Sequence, residues 1–152
     1  MITKLLEKEG HFIGSVMCDD WEELVDIIAA PLVLEGAVEL QFAEAAKEAA
    51  KKFGGYVVLT DDIAFFHARP EAGVHEFALT LALLKNPVYL FEKRIKVAFM
   101  LAAVDNAGHL GLLKELSEFM NDDECLEILR KGEDMDAIIN KFKEVEEKHE
   151  VS

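Results

Sequence analysis

The run Ile95–Val104 (IKVAFMLAAV) constrains the fold more than any other segment of the chain. Apart from Lys96 it carries no polar side chain, so a strand there is apolar on both faces and needs cover on both. Such a strand sits in the middle of a sheet, with helices packed above and below it. The flanking segments supply those layers, because the chain reads as helices, then strands, then helices.

Asp20 followed by Glu23 has the spacing of a capping box. Behind it Trp21, Leu24, Val25, Ile28 and Leu32 recur at helical spacing, with Gly36 as the stop. A second, Ala-rich helix is expected from about Glu39 to Phe53, packing through Phe42, Ala46, Ala49, Ala50 and Phe53 and ended by Gly54-Gly55. The pattern then changes to β-branched and aromatic runs, YVVLT (56–60) and Ile63–Phe66, with His67 closing the second. ARPEAG (68–73) has loop chemistry. His75–Leu84 alternates, with Phe77, Leu79, Leu81 and Leu83 on one face, and Val88–Phe91 follows a turn at Asn86-Pro87. After the long apolar strand, Asn106 is the expected cap of a helix through about Met120, with Leu110, Leu113, Leu116 and Met120 as its stripe. Helices near Asp123–Lys131 and Asp134–His149 complete the chain, separated by Gly132. No repeat or linker divides it. Residues 1–152 are therefore expected to form one α/β domain, a central mixed sheet of about five strands flanked by helices on both sides.

Charge narrows the partners. With 30 Asp and Glu against 16 Lys and Arg the net charge is −14, which argues against nucleic acid and anionic lipid and favours a basic protein partner. The longest uncharged apolar runs, Phe77–Leu84 and Val97–Val104, are eight residues each, well short of the roughly 20 that a spanning helix needs. The first ten residues, MITKLLEKEG, are charged throughout and show no secretory pattern. Cys18 and Cys125 stand outside any CxxC or metal spacing. The expectation is a cytoplasmic protein with both thiols reduced, a disulfide between them being the alternative.

Five histidines carry the candidate chemistry. His149 lies in the polar KEVEEKHE tail and reads as solvated, and His11 follows Gly10 in an expected loop with no partner. His75 falls on the polar side of its strand and is an optional helper. His67 closes an apolar strand and opens a loop containing Arg69, Pro70, Glu71 and Gly73, a place where a rigid sheet aims a side chain at a partner. His109 follows Asp105-Asn106-Ala107-Gly108, in the first turn of the helix leaving the central strand. Free N–H groups there favour an anion and a neutral imidazole. A neutral imidazole nucleophile beside an anion-friendly helix start suits phosphoryl transfer, which is mostly positioning and charge stabilisation. His67, His75, His109 and Asp105 also assemble into a metal site on paper, without the short paired spacing that such sites show. GxGxxG, P-loop, HExxH and GxSxG are all absent.

Three stretches, IAFFHARPEAGV (63–74), NPV (86–88) and LAAVDNAGHLGLLKEL (101–116), resemble the EIIA domain of the bacterial phosphoenolpyruvate-dependent sugar phosphotransferase system, in its mannitol/fructose superfamily. DDWEELVDIIAAPLVLEGAV (19–38) and GGYVVL (54–59) extend the likeness, which looks closest to the ascorbate branch. The resemblance implies a phosphotransferase component. His67 would accept a phosphoryl group from the phosphocarrier HPr and pass it to a cysteine of EIIB, with His109 as the supporting residue and Arg69 as a phosphate contact. The membrane transporter EIIC is then an indirect partner, and association with further copies of this chain is left open. No metal, nucleotide or other cofactor is implied. The alternative is a non-catalytic EIIA-like module that regulates by binding.

One departure stands out. The family pattern at the acceptor is P-G-I-A-x-P-H, whereas this chain has Thr60-Asp61-Asp62-Ile63-Ala64-Phe65-Phe66-His67. Phe66 neither fixes φ near about −65° nor removes a backbone donor, as proline would. Asp62 in place of glycine needs a permitted backbone conformation. Two inward-pointing carboxylates would disfavour a phosphohistidine by about a kcal/mol, as in a slow or regulatory relative.

Overall fold

The computed structural model describes residues 2–151. Helix α1 (Ile2–Leu6) leads into strand β1 (Phe12–Val16), followed by α2 (Trp21–Leu34) and α3 (Gln41–Phe53). A 3-10 turn (Gly54–Val57) then opens the strand-rich middle: β2 (Val58–Thr60), β3 (Asp62–His67), β4 (Ala78–Leu90) and β5 (Lys93–Ala102). Helices α4 (Asn106–Met120), α5 (Asp123–Lys131) and α6 (Met135–Val151) close the fold. Among the described residues no helix is long and apolar enough to cross a membrane.

The strand order is β1-β4-β5-β3-β2. β5 is central, as its doubly apolar run requires. It pairs antiparallel with β4 and parallel with β3, while β1 lies parallel to β4 at the other side. Side chains alternate along β5. Ala98, Met100 and Ala102 enter the core under α2 and α3, whereas Val97, Phe99 and Leu101 enter the core under α1, α4, α5 and α6. Thr80, the buried hydroxyl on the α2 side, donates to the Ile28 carbonyl at 2.8 Å, so the dry layer keeps no unpaired group there.

The expectation of about five strands does not hold strand for strand. Four strands of five residues or more form the body of the sheet, and the three-residue β2 adds a short edge. β1 and α1 were not anticipated: FIGSV places Gly14 and Ser15 mid-strand, and Ser15 has φ 52°, a kink that breaks the alternation. His75–Leu84 and Val88–Phe91 are one strand, which begins only at Ala78. Asn86-Pro87 is not a turn. Leu83 pairs with Val97 and Val88 with Ile95, so Lys85, Asn86 and Pro87 bulge outward, where a proline forfeits no ladder bond. The reversal comes at Phe91, which has φ 54°.

The capping arguments hold with one shift. The Asp20 side chain accepts from the Glu23 N–H at 2.8 Å and starts α2. α4 is capped by Asp105 rather than Asn106. Its buried stripe is Leu112, Leu116 and Phe119, while Leu110 is exposed. Trp21 stacks on Phe66 with ring centroids 6.3 Å apart, and Phe65 and Phe66 are buried, so these aromatics are core rather than partner surface.

Asp62 resolves the departure at the start of β3. Its φ is 71°, the left-handed region that glycine would occupy. Its carboxylate accepts from Arg94 Nε at 2.6 Å and from Nη2 at 2.9 Å. The Arg94 hydrogen bonds hold the carboxyl below its ordinary range, against burial, which raises it. A carboxyl depressed in the folded state stabilises the fold above its unfolded pKa of about 4 and loses that contribution as pH falls through the folded value. Asp62→Asn, which tolerates the same backbone, should therefore be less stable than wild type at pH 7. The gap in urea midpoint should narrow below pH 4, and an unchanged gap at pH 3 would refute the linkage.

Candidate functional site

β3 and β5 run parallel, with His67 opposite Leu101. Their carboxyl ends therefore lie at the same end of the sheet. His67 is the last residue of β3, and α4 begins four residues after the end of β5. This topology brings residues 67 and 109 together across 42 positions of sequence: the imidazole centroids are 5.1 Å apart, with the planes tilted by 47°.

Each ring has a defined setting. His67 Nδ1 lies 3.2 Å from the Phe65 carbonyl oxygen. A carbonyl only accepts, so Nδ1 is the donor, and in the neutral ring the lone pair is on Nε2. His109 lies in the first turn of α4. The Asp105 carboxylate accepts from the Gly108 N–H at 2.6 Å, and the Asp105 carbonyl accepts from the His109 N–H at 3.1 Å. Burial, and then the neighbouring His67, push the His109 imidazole below its ordinary range. At neutral pH it is an uncharged ring with an N–H to offer. The pair thus presents one nucleophilic nitrogen and one neutral donor.

Both rings open into a cleft of about 980 Å³. One wall is the carboxyl-terminal end of α3, with Ala49, Lys52 and Phe53, and the other is the loop after β3 with Arg69 and Pro70. Lys51 also borders it, 3.8 Å from Glu22 and 3.9 Å from Glu48. The Lys52 ammonium sits 5.6 Å from the Phe53 ring centroid. Arg69 is exposed and makes no ion pair among the described residues. A chain of net charge −14 thus gathers three cations around one imidazole pair, beside the acids Glu48 and Glu71. The lysines escaped the sequence reading. Their signal was the basic pair before Phe53, which complements the carbonyl end of a helix.

The loop carrying Arg69 is held in place by the α2–α3 connection. The Glu39 N–H donates to the Gly73 carbonyl at 2.9 Å and the His75 N–H to the Ala37 carbonyl at 2.8 Å. Gly73 has φ 98°, and a Cβ there would lie 2.8 Å from the Glu39 carboxylate. Both conformation and space require glycine.

The other histidines are elsewhere. His75 lies in this loop rather than on a strand, exposed and 3.8 Å from Glu39, and does not line the cleft. His11 lies in the bend before β1, as expected, but is not without partners. It is 1% exposed, with Nδ1 at 2.9 Å from the Leu79 carbonyl oxygen and Nε2 at 2.9 Å from Glu35. His149, on α6, is 3.9 Å from Glu118. Among the described residues no group of three or more His, Cys, Asp or Glu is placed to hold a metal ion. Cys18 and Cys125 are unbridged. Burial pushes the Cys125 thiol up to about 12 and also raises Cys18, so neither is an activated nucleophile.

The Asp61-Asp62 pair does not reach the cleft. Asp62 and His67 occupy opposite ends of β3, about 16 Å apart at strand rise, and the Asp62 carboxylate is spent on Arg94. The expected repulsion at His67 has no source there.

Residues 4–145 match the family described as phosphoenolpyruvate-dependent sugar phosphotransferase system, EIIA 2. The mannitol-specific cryptic phosphotransferase enzyme IIA component of Escherichia coli K12 is 32% identical over 112 residues, covering 72% of this chain and 76% of that protein. The ascorbate-specific PTS system EIIA component of the same organism is 30% identical over 117 residues, covering 74% and 75%. Among solved structures, a putative PTS IIA (PtxA) from Streptococcus mutans superposes with a TM-score of 0.85 at 26% identity, covering 95% of this chain and 94% of that one. The likeness is thus shared between mannitol and ascorbate relatives instead of favouring the ascorbate branch.

Proposed function

The chain belongs to the EIIA 2 family of the phosphoenolpyruvate-dependent sugar phosphotransferase system, and from that footing we propose that it is a phosphohistidine carrier in which His67 is the acceptor. The observation carrying this reading is the imidazole pair, 5.1 Å apart and lining a cleft bordered by Lys51, Lys52 and Arg69. In the first step the lone pair on His67 Nε2 attacks the phosphorus of phosphorylated HPr, so one N–P bond forms as another breaks. In the second step a cysteine thiolate of EIIB attacks that phosphorus, an S–P bond forms, and Nε2 recovers its lone pair. No net proton is needed on the carrier, because the Nδ1 proton, directed at the Phe65 carbonyl, takes no part in either step.

His109 serves as donor to a phosphoryl oxygen, and its neutrality lets it do so without trapping the group as a tight ion pair. Arg69, with no competing ion pair among the described residues, supplies charge at the rim. The residues 1–152 act as a single domain in the cytoplasm between HPr and EIIB, with EIIC as the indirect membrane partner. Ascorbate uptake is the narrower form of the proposal, since the sugar itself is chosen by EIIC.

Incubation with phosphoenolpyruvate, Enzyme I and HPr should place one acid-labile phosphoryl group on each chain. A wild-type protein that takes up none would leave the regulatory binding module as the correct reading. His109→Ala should still be phosphorylated, about tenfold more slowly, as expected for losing one charge-assisted hydrogen bond of about 1.5 kcal/mol. A rate within twofold of wild type in rapid-quench measurements would remove His109 from the transfer step.

A further inference from the structure

Gly108 is glycine for lack of space. Its backbone does not occupy the left-handed region, but a Cβ built on it would overlap the Cε1 and Cζ atoms of the Phe77 ring. That ring therefore lies directly against the backbone of the first turn of α4. Phe77 immediately precedes β4, whose first residue Ala78 pairs with Ala102, the last residue of β5. It is half-buried and packs on the core beneath α4, α5 and α6. On the turn above it, the Gly108 N–H is tied to Asp105, and His109 follows directly.

We propose that Phe77 is a positioning residue for the imidazole pair: its ring, seated against the bare Cα of Gly108, sets how closely the start of α4 approaches the sheet, and so fixes His109 relative to His67. Gly108 is one residue from His109, Phe77 lies at the same end of the sheet as His67, and neither lines the cleft. The consequence for rate rests on the carrier reading above, whereas the effect on ring placement does not. An ångström of misplacement is enough to slow a positioned reaction by up to about two orders of magnitude.

Gly108→Ala forces either the ring or the helix start to move. It should shift the imidazole titration of His109, followed by NMR in the full chain, back toward the ordinary range as the ring loses cover and moves away from His67. It should slow phosphoryl uptake from phosphorylated HPr by about tenfold. Adding Phe77→Ala to Gly108→Ala makes room for the new methyl group and should recover much of both the titration and the rate, although it removes core contacts. A purely structural role predicts the opposite, a double variant worse than either single one. The proposal is overturned if Gly108→Ala leaves the His109 titration and the rate unchanged, or if its defect is not relieved by Phe77→Ala. Should Gly108→Ala fail to fold, Phe77→Leu, which shortens the ring contact in the native glycine background, is read by the same titration, and an unchanged His109 overturns the idea. If wild type accepts no phosphoryl group, the carrier reading fails while the titration still decides the positioning.

Discussion

His67→Ala should abolish the acid-labile phosphoryl adduct outright, while the variant keeps its fold. The first half follows from the accessibility of nucleophiles. His109, in the first turn of α4, is held below its ordinary range by burial and is thereby a weaker base, His11 has both ring nitrogens engaged, and His75 does not line the cleft. Neither thiol is activated. The second half follows from position: His67 is half-buried at the end of β3, and its ring hydrogen bond goes to its own strand, so truncation empties part of a cleft and not a core. Intact-protein mass after incubation with phosphoenolpyruvate, Enzyme I and HPr reads the adduct, and far-ultraviolet circular dichroism reads the fold. An adduct surviving at half of wild-type yield would move the acceptor to another residue, His109 first.

The reading of β5 as central needed only local information, because a run with no polar face admits one environment. Its neighbours were harder. β1 breaks the pattern at Gly14 and Ser15, where a positive φ interrupts the alternation, and β4 reads as two strands because Pro87 normally ends a strand but here sits on a bulge. Each error came from a backbone irregularity that a side-chain pattern does not encode. His11 failed for another reason. Its partners, Glu35 and the Leu79 carbonyl, are 24 and 68 positions away, so nothing nearby in sequence reveals them.

The site was legible in its parts and not in its assembly. His67 was recognisable at a strand end and His109 at a helix start, both from local chemistry. Their convergence depends on β3 lying parallel to β5, a consequence of strand order. An antiparallel pairing would have put the two rings at opposite ends of the sheet. The contribution of Lys51 and Lys52 likewise depends on where α3 ends relative to β3. The Asp62 substitution was legible as a conformational demand, met by φ 71°, but its electrostatic consequence was not, because Arg94 is 32 positions away.

Phe99→Ala should be the most destabilising simple truncation in the molecule. Phe99 is fully buried on the central strand. Its ring stacks on Phe65 at 5.1 Å and lies 6.5 Å from Phe142, which in turn stacks on Phe119 at 4.4 Å. One side chain thus joins β3, β5, α4 and α6. Removing it forfeits the transfer free energy of the ring and leaves a cavity with walls that strands on both sides keep from collapsing, about 3–5 kcal/mol in all. At a slope of about 2 kcal/mol per molar urea, the unfolding midpoint should fall by about 2 M. Phe99→Leu, which retains most of the volume, should cost clearly less. Because Phe99 lies opposite Phe65, two residues short of His67, the effect belongs to the fold and not to the nucleophile. Under conditions where the alanine variant is folded, the phosphoryl stoichiometry should stay at one per chain. A midpoint shift below about 0.5 M would show that the aromatic stack is loosely packed and that the sheet is held chiefly by the α2–α3 side.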